Sequence, residues 1–157
     1  MKRAWIGLIV VAVSAGLLTA CASMQEAKKS PTEYVEERQK LMKAHGENWK
    51  QVQEGAKAGN WAAVATNADA MANSAKQIPA LFPEGSMTEK SKAKPEIWQR
   101  KAEFDAAAKK MEMDSVRLRD TARSGNAQAT SDIIKDFGRT TCGNCHTPFR
   151  VPPPRQG

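Results

Sequence analysis

Among 157 residues there are only three cysteines, two histidines and one tyrosine, so the side chains most used in catalysis and metal binding can be followed one by one. No segment alternates apolar and polar residues in the manner of a strand, which excludes a sheet-based fold. No run of Lys and Arg is interleaved with aromatics, so the formal net charge of +7 does not read as a nucleic-acid footprint. No separate carboxylate pair, nucleophile–base pair or second metal cluster suggests turnover of a substrate, and the chain reads as a non-enzyme. Disulfides are equally scarce as a source of stability. Cys142 and Cys145 lie too close together for a useful staple, and Cys21 has another use.

Long apolar runs are missing except at the N-terminus. Met1-Lys2-Arg3 precede an apolar stretch from Ala4 to about Val13, and "LLTAC" ends at Cys21. A basic start, an apolar run too short to span a bilayer comfortably and small residues before a cut site describe a secretory signal. With Cys21 directly after Leu18-Thr19-Ala20, residues 1–20 take the form of a bacterial lipoprotein signal, and Cys21 becomes the lipidated first residue. An ordinary cleaved signal and an uncleaved anchor helix are the alternatives. Ala22, rather than Asp, points by analogy with enterobacterial sorting to the outer membrane. Loss of Lys2 and Arg3 lowers the net charge of +7 by two, leaving a mild excess suited to acidic partners or anionic lipid.

Residues 21–29 are polar and featureless, a flexible tether. Residues 30–150 read as one all-α domain. Ser30, Pro31 and Glu33 form a strong helix start, and Tyr34, Leu41, Met42, His45, Trp49 and Val52 then recur at three- and four-residue steps. Gly59-Asn60 ends this helix and caps the second, Trp61 to Ile78, whose alanines predict close approach to a neighbour. "IPALFPEGSMTEKSKAK" is the one long connection. Pro95 opens a third helix with Ile97, Trp98, Phe104, Ala108, Met111 and Leu118 inward, ending at Ser124-Gly125. A fourth helix starts near Asn126 and carries Ile133, Ile134 and Phe137 into the cysteine motif. "VPPPRQG" (151–157) forbids continuation and reads as a disordered tail. The pattern predicts an antiparallel up-down-up-down four-helix bundle. Four Trp and seven Met make an irregular core that gains from a large apolar body to pack around.

That body is indicated by "CGNCHTPFR". On a helix Cys142, Cys145 and His146 project from one face at i, i+3 and i+4. Two thiols so spaced reach the two vinyl groups on one edge of a porphyrin, and the adjacent imidazole reaches the iron. This is the C-x-x-C-H pattern of covalent haem c. A structural zinc needs four ligands, and only His45 remains outside the segment. A redox dithiol usually opens a helix beside a strand, whereas this pair ends a helix in an all-α chain. Export also suits the compartment in which haem c is attached. For the other side of the iron, antiparallel topology sets the start of the first helix beside the end of the fourth. Met42 therefore faces His146 across one end of the bundle. A methionine on an apolar face is ordinarily plain core; with a haem to cap, it becomes the candidate axial ligand. His45, one turn further, is the rival, or else a hydrogen-bonded histidine.

Over residues 30–150 the chain resembles the class II cytochromes c, the cytochrome c′ family, through "ERQKLMKAHG", "LFPEGS", "KPEIW", "AEFDAA" and "CGNCHTPFR" at matching spacings. In that family the residue four after an arginine of the first helix lies over the distal iron face. It is apolar in five-coordinate high-spin members and methionine in low-spin ones. Here the arginine is Arg38 and the fourth residue on is Met42, so the resemblance implies a six-coordinate, low-spin His146/Met42 haem. It further implies that Arg38 and Gln39 lie near the haem propionates, and that Arg150 lies near the proximal histidine, where its charge tunes the iron. Family members also dimerise through the first two helices, which the small-residue face of the second helix permits.

Thioether ligation favours ferrous iron, and a filled sixth site keeps coordination constant between oxidation states. The functional expectation is a periplasmic, lipid-anchored monohaem carrier of single electrons between redox proteins, some of them membrane-associated. The alternative is a gas-binding (NO/CO) protein with a five-coordinate or displaceable distal site. Weak peroxidase activity is a third option, for a sixth site that opens.

Overall fold

Helix starts follow the caps. In the computed structural model, which describes residues 29–153, the Ser30 hydroxyl accepts from the Glu33 amide and the Glu33 carboxylate accepts from the Ser30 amide. Helix α1 (Pro31–Lys57) begins on that reciprocal pair. Asn60 caps α2 (Trp61–Ala75) through the Ala63 amide, and Asn126 caps α5 (Ala127–Phe137) through the Ala129 amide. Gly59 and Gly125 precede these caps at φ 67° and 74°, left-handed turns that glycine adopts without strain.

The bundle has four rods: α1; α2; α3 (Glu96–Gln99) with α4 (Lys101–Arg123); and α5 with α6 (Gly143–Phe149). The expected four-helix bundle is present, but its rods are interrupted where unbroken helices were expected. Arg100 breaks the third at φ −122° and ψ 46°, and its carbonyl then accepts from the Glu103 and Phe104 amides to start α4 afresh. The fourth is widened by a π-helical segment, Gly138–Cys142, before α6. Helix α2 stops at Ala75 rather than Ile78, because Pro79 has no amide to give the helix; a 3₁₀ turn, Pro79–Leu81, follows. The described residues contain no strand, only an isolated antiparallel bridge between Ala93 and Arg150.

One side of the bundle closes on alanine. Ala65, Ala68, Ala72 and Ala75 of α2 are buried, as are Ala107 and Ala108 of α4, with Val64, Met71, Phe104 and Leu118 among them. The alanines that permitted contact with a second copy are thus used inside this chain. On α1 the buried face is Val35, Arg38, Leu41, His45 and Val52, with Tyr34 only half-buried. Trp49 stacks on Phe137 with centroids 4.9 Å apart, joining α1 to α5. Trp61 and Trp98 are half-buried against the core. Val151 remains tied to the fold by its amide, which donates to the Lys92 carbonyl at 2.8 Å.

The lipoprotein signal (1–20), Cys21 and all of the tether but its last residue lie outside the described residues. Among the described ones, no helix is long and apolar enough to cross a membrane.

Ser115, in the middle of α4, is wholly buried with no partner for its hydroxyl. Ser115→Ala removes an unpaired polar group and adds a better helix former. We expect a gain of about 1 kcal/mol in urea unfolding; a loss of stability would mean that the hydroxyl is satisfied in solution.

Candidate functional site

Where α1 and α6 face each other the bundle does not close. A cavity of about 410 Å³ lies between them, floored by α4 and bounded by the connection that follows α2. Its size is that of a small-molecule or cofactor site. Phe104, Ala108, Met111 and Met71 supply apolar wall.

The proximal wall is α6. Cys142, Cys145 and His146 all border the cavity, so the spacing i, i+3, i+4 does bring them to one face. The π turn delivers Cys142 to that position. Its hydrogen bond runs from the Gly143 amide to the Gly138 carbonyl, and Thr141 is turned inward, where its hydroxyl donates to the Asp114 carboxylate. Lys110 pairs with the same carboxylate at 2.6 Å. The two cysteines form no disulfide with each other. Burial pushes the Cys142 thiol up, and burial followed by the neighbouring Cys142 pushes Cys145 to about 11. A dithiol tuned for exchange needs the opposite shift. Among the described residues no group of three or more His, Cys, Asp or Glu converges on a bare metal ion.

The distal wall is α1, with Arg38, Gln39, Met42, His45 and Trp49 all on the cavity. Met42 and His45 differ in how free they are. The His45 Nε2 lies 2.5 Å from Ser74 Oγ. That hydroxyl is also within hydrogen-bond reach of the Ala70 and Met71 carbonyls at 2.9 and 3.2 Å, so the contact ties the His45 ring to α2. Burial, ahead of the His146 charge, lowers His45 to about 4 and keeps it neutral. Met42 is half-buried and has no such tie.

Charge at the cavity has one sign. Among the described residues Arg38, Lys92 and Arg150 line it, and no carboxylate does. Arg38 is buried, yet all its partners are neutral: Nε donates to the Leu81 carbonyl at 2.6 Å, Nη1 to the Ser86 carbonyl at 3.0 Å, and Nη2 to the Ser86 hydroxyl. Burial lowers it to about 10, so it is still a cation at neutral pH. Gln39 and Arg150 are exposed at the rim. His146 is exposed as a residue, yet partial burial of its ring, ahead of the Arg150 charge, lowers the imidazole and favours the neutral, ligating form. An apolar macrocycle with two carboxylate arms and two thioether links along one edge suits this set. The thiols and imidazole share one wall, the sides are apolar, and the charges of the described lining residues complement the arms.

Ser74, Ser86, Asp114 and Thr141 take part in the site although sequence reading passed over them. The only local hints are Gly138 and the adjacent threonines, poor helix formers before the motif, and the motif "LFPEGS" itself.

The sequence profile of the family described as Cytochrome C′ matches residues 33–150. A cytochrome c′ of Pararhodospirillum photometricum is 34% identical over 125 residues, covering 77% of this chain and 98% of that protein. The crystal structure of cytochrome c′ from Thermochromatium tepidum superposes with a TM-score of 0.71 at 26% identity, over 80% of this chain and all of that one. A second cytochrome c′ structure, described as having an unusual ligand-controlled dimer dissociation, gives 0.72 at 25% identity over 80% of this chain.

The neutral, buried His45 ties stability to pH. An unfolded chain takes up a proton at this residue near 6.5, whereas the native chain resists until about 4. Stability is full above pH 6.5, is lost as pH falls through that window, and levels off below it. The loss is on the order of 3 kcal/mol. In His45→Gln the fall in unfolding midpoint between pH 6.5 and 4 should be shallower; identical slopes would assign the titration to other groups.

Proposed function

The chain belongs to the cytochrome c′ family, which binds one covalently attached c-type haem, and from that premise we propose that it is a membrane-tethered carrier of single electrons with His146 and Met42 as axial ligands. What supports the reading is that Met42 of α1 and His146 of α6 line the same cavity as both C-x-x-C thiols.

Bound there, the haem supplies a one-electron couple at its iron. The chain's own residues do the rest. Cys142 and Cys145 would hold the ring edge through thioethers, which would fix its orientation. His146 offers a neutral imidazole nitrogen, and the Met42 thioether favours the ferrous state. Arg38, with no carboxylate of its own, would offer a counter-charge to the propionates, with Gln39 near it at the rim, and Arg150 would act on His146 through its charge. Apolar side chains exclude water and limit solvent rearrangement when the charge of the site changes. Lys92 and Arg150 leave a basic edge suited to acidic surfaces on redox partners. Self-association, as in the related protein whose dimer dissociates under ligand control, is compatible with this role.

A second reading, capture of nitric oxide or carbon monoxide, uses the same residues but needs Met42 to leave. Two features favour it: Met42 holds no hydrogen bond, and Gly46, one turn further along the rim, leaves open space where a side chain would stand. The spectrum separates the two. Ferric holoprotein is expected to show the weak far-red band of methionine–haem ligation, and Met42→Leu should abolish it and give five-coordinate high-spin iron. A high-spin wild type moves the assignment to gas binding. A low-spin Met42→Leu moves ligation to His45.

For location, we propose a periplasmic protein anchored by lipid at Cys21 to a bacterial membrane, the outer membrane by preference. Such an anchor raises the local concentration of the carrier near membrane-bound partners. Cys21→Ser should shift the protein from the membrane to the soluble fraction of cell extracts; unchanged membrane association would rule out lipidation as the anchor.

A further inference from the structure

The connection between α2 and α3 joins the two walls of the cavity. On α1, Arg38 lies one turn before Met42, and its guanidinium is buried. It sits 4.1 Å above the Phe82 ring and holds three acceptors on the connection: the carbonyls of Leu81 and Ser86 and the hydroxyl of Ser86. Ser86 is itself buried, and its hydroxyl passes its proton bond to the Pro83 carbonyl at 2.5 Å. Trp98 Nε1 donates to the Phe82 and Pro83 carbonyls at 3.2 and 2.9 Å, which stiffens this turn from below. At its other end the connection grips α6. The Lys94 amide donates to the Phe149 carbonyl at 3.0 Å, and the Val151 amide to the Lys92 carbonyl at 2.8 Å. Lys94 Nζ reaches the Thr147 carbonyl, one residue past His146, at 3.3 Å.

We infer that Ser86 is a positioning residue for Met42: through Arg38 and the connection it fixes the helix turn bearing the methionine against the end of the helix bearing His146. The inference rests on the reading of Met42 as axial ligand. A thioether is a weak ligand, so its hold on the iron depends on how firmly its helix turn is kept in place. Arg38 is a cation without a carboxylate, so each neutral acceptor it loses leaves part of a buried charge unpaired. Ser86 supplies two of the three. With the Ser86 hydroxyl gone, the guanidinium is expected to shift, the first turns of α1 to loosen, and Met42 to leave more often.

Carbon monoxide binding to ferrous holoprotein reads this directly, because the gas must wait for Met42 to vacate. In stopped-flow mixing, Ser86→Ala should take up carbon monoxide about tenfold faster than wild type, the scale of one lost hydrogen bond to a charged group. Asp69→Asn cuts the 2.8 Å pair with Arg119 between α2 and α4, away from this strap, and should leave the rate unchanged. Equal rates in Ser86→Ala and wild type overturn the inference, as does an equal acceleration in Asp69→Asn, which would mark a general loosening. Should Ser86→Ala yield no holoprotein, the wild type provides the test by amide hydrogen exchange. The Lys94 and Val151 amides should exchange faster in the carbon monoxide complex than in the ferrous protein alone, and equal protection overturns the proposal. The two layers separate cleanly. A wild-type ferric spectrum without the far-red band removes the ligation reading and this inference together. A band present with an unchanged carbon monoxide rate removes the inference alone.

Discussion

The separation of α1 from α6 is the constraint on which the other features depend. Alanines on α2 and α4 let those two helices approach closely, and nothing comparable stands between the first rod and the last. The Trp49–Phe137 stack keeps α1 and α5 in register at one end, and the Arg38-bound connection keeps α1 and α6 in register at the other. Between them lies the cavity of about 410 Å³. Its apolar walls need a large apolar body to pack against. A covalently held macrocycle is therefore a structural member of the bundle as well as its cofactor, which suits a core so poor in large aliphatic side chains.

Charge placement follows from the same gap. A buried guanidinium is expensive, and the usual remedy is a carboxylate beside it. Arg38 has none. Its neutral acceptors offset part of the desolvation, and the remainder of its field is directed at the cavity, where Lys92 and Arg150 add to it. Carboxylates would serve the isolated protein better. Their absence from the lining makes sense for a ligand that brings its own negative charge, and it leaves the basic balance concentrated where a dianionic cofactor meets solvent.

Much of this was legible in the sequence where the interactions are local. Ser30, Asn60 and Asn126 cap within three residues, so the helix starts could be read directly, and C-x-x-C-H carries its geometry within a single turn. What escaped is what depends on distant partners. Periodicity is insensitive to one extra residue in a turn, so the π segment before Cys142 left no mark beyond Gly138 and two threonines. Arg100 looks like any helix residue; the break shows only when its carbonyl is seen to start α4. His45 could not be ranked against Met42 until Ser74, 29 residues away, was found on its ring. Arg38 was expected beside the propionates, and the 48 residues separating it from Ser86 hid its hydrogen bonds to the connection.

Electron carrier and gas trap share one scaffold, so the fold cannot choose between them. The choice is an energetic one, made at the sixth site. A thioether that stays on the iron in both oxidation states makes exchange of electrons fast and exchange of ligands slow; one that leaves readily does the reverse. In this chain Met42 is only half-buried, so on the reading of Met42 as ligand its own packing would add little to its retention. It would be retained instead by its helix turn, which Arg38 ties to the connection through three donors. On that reading, substitutions at Ser86 that never touch the haem would shift the balance between the two functions. Variation in that loop would offer a route from one function to the other that leaves every ligand residue in place.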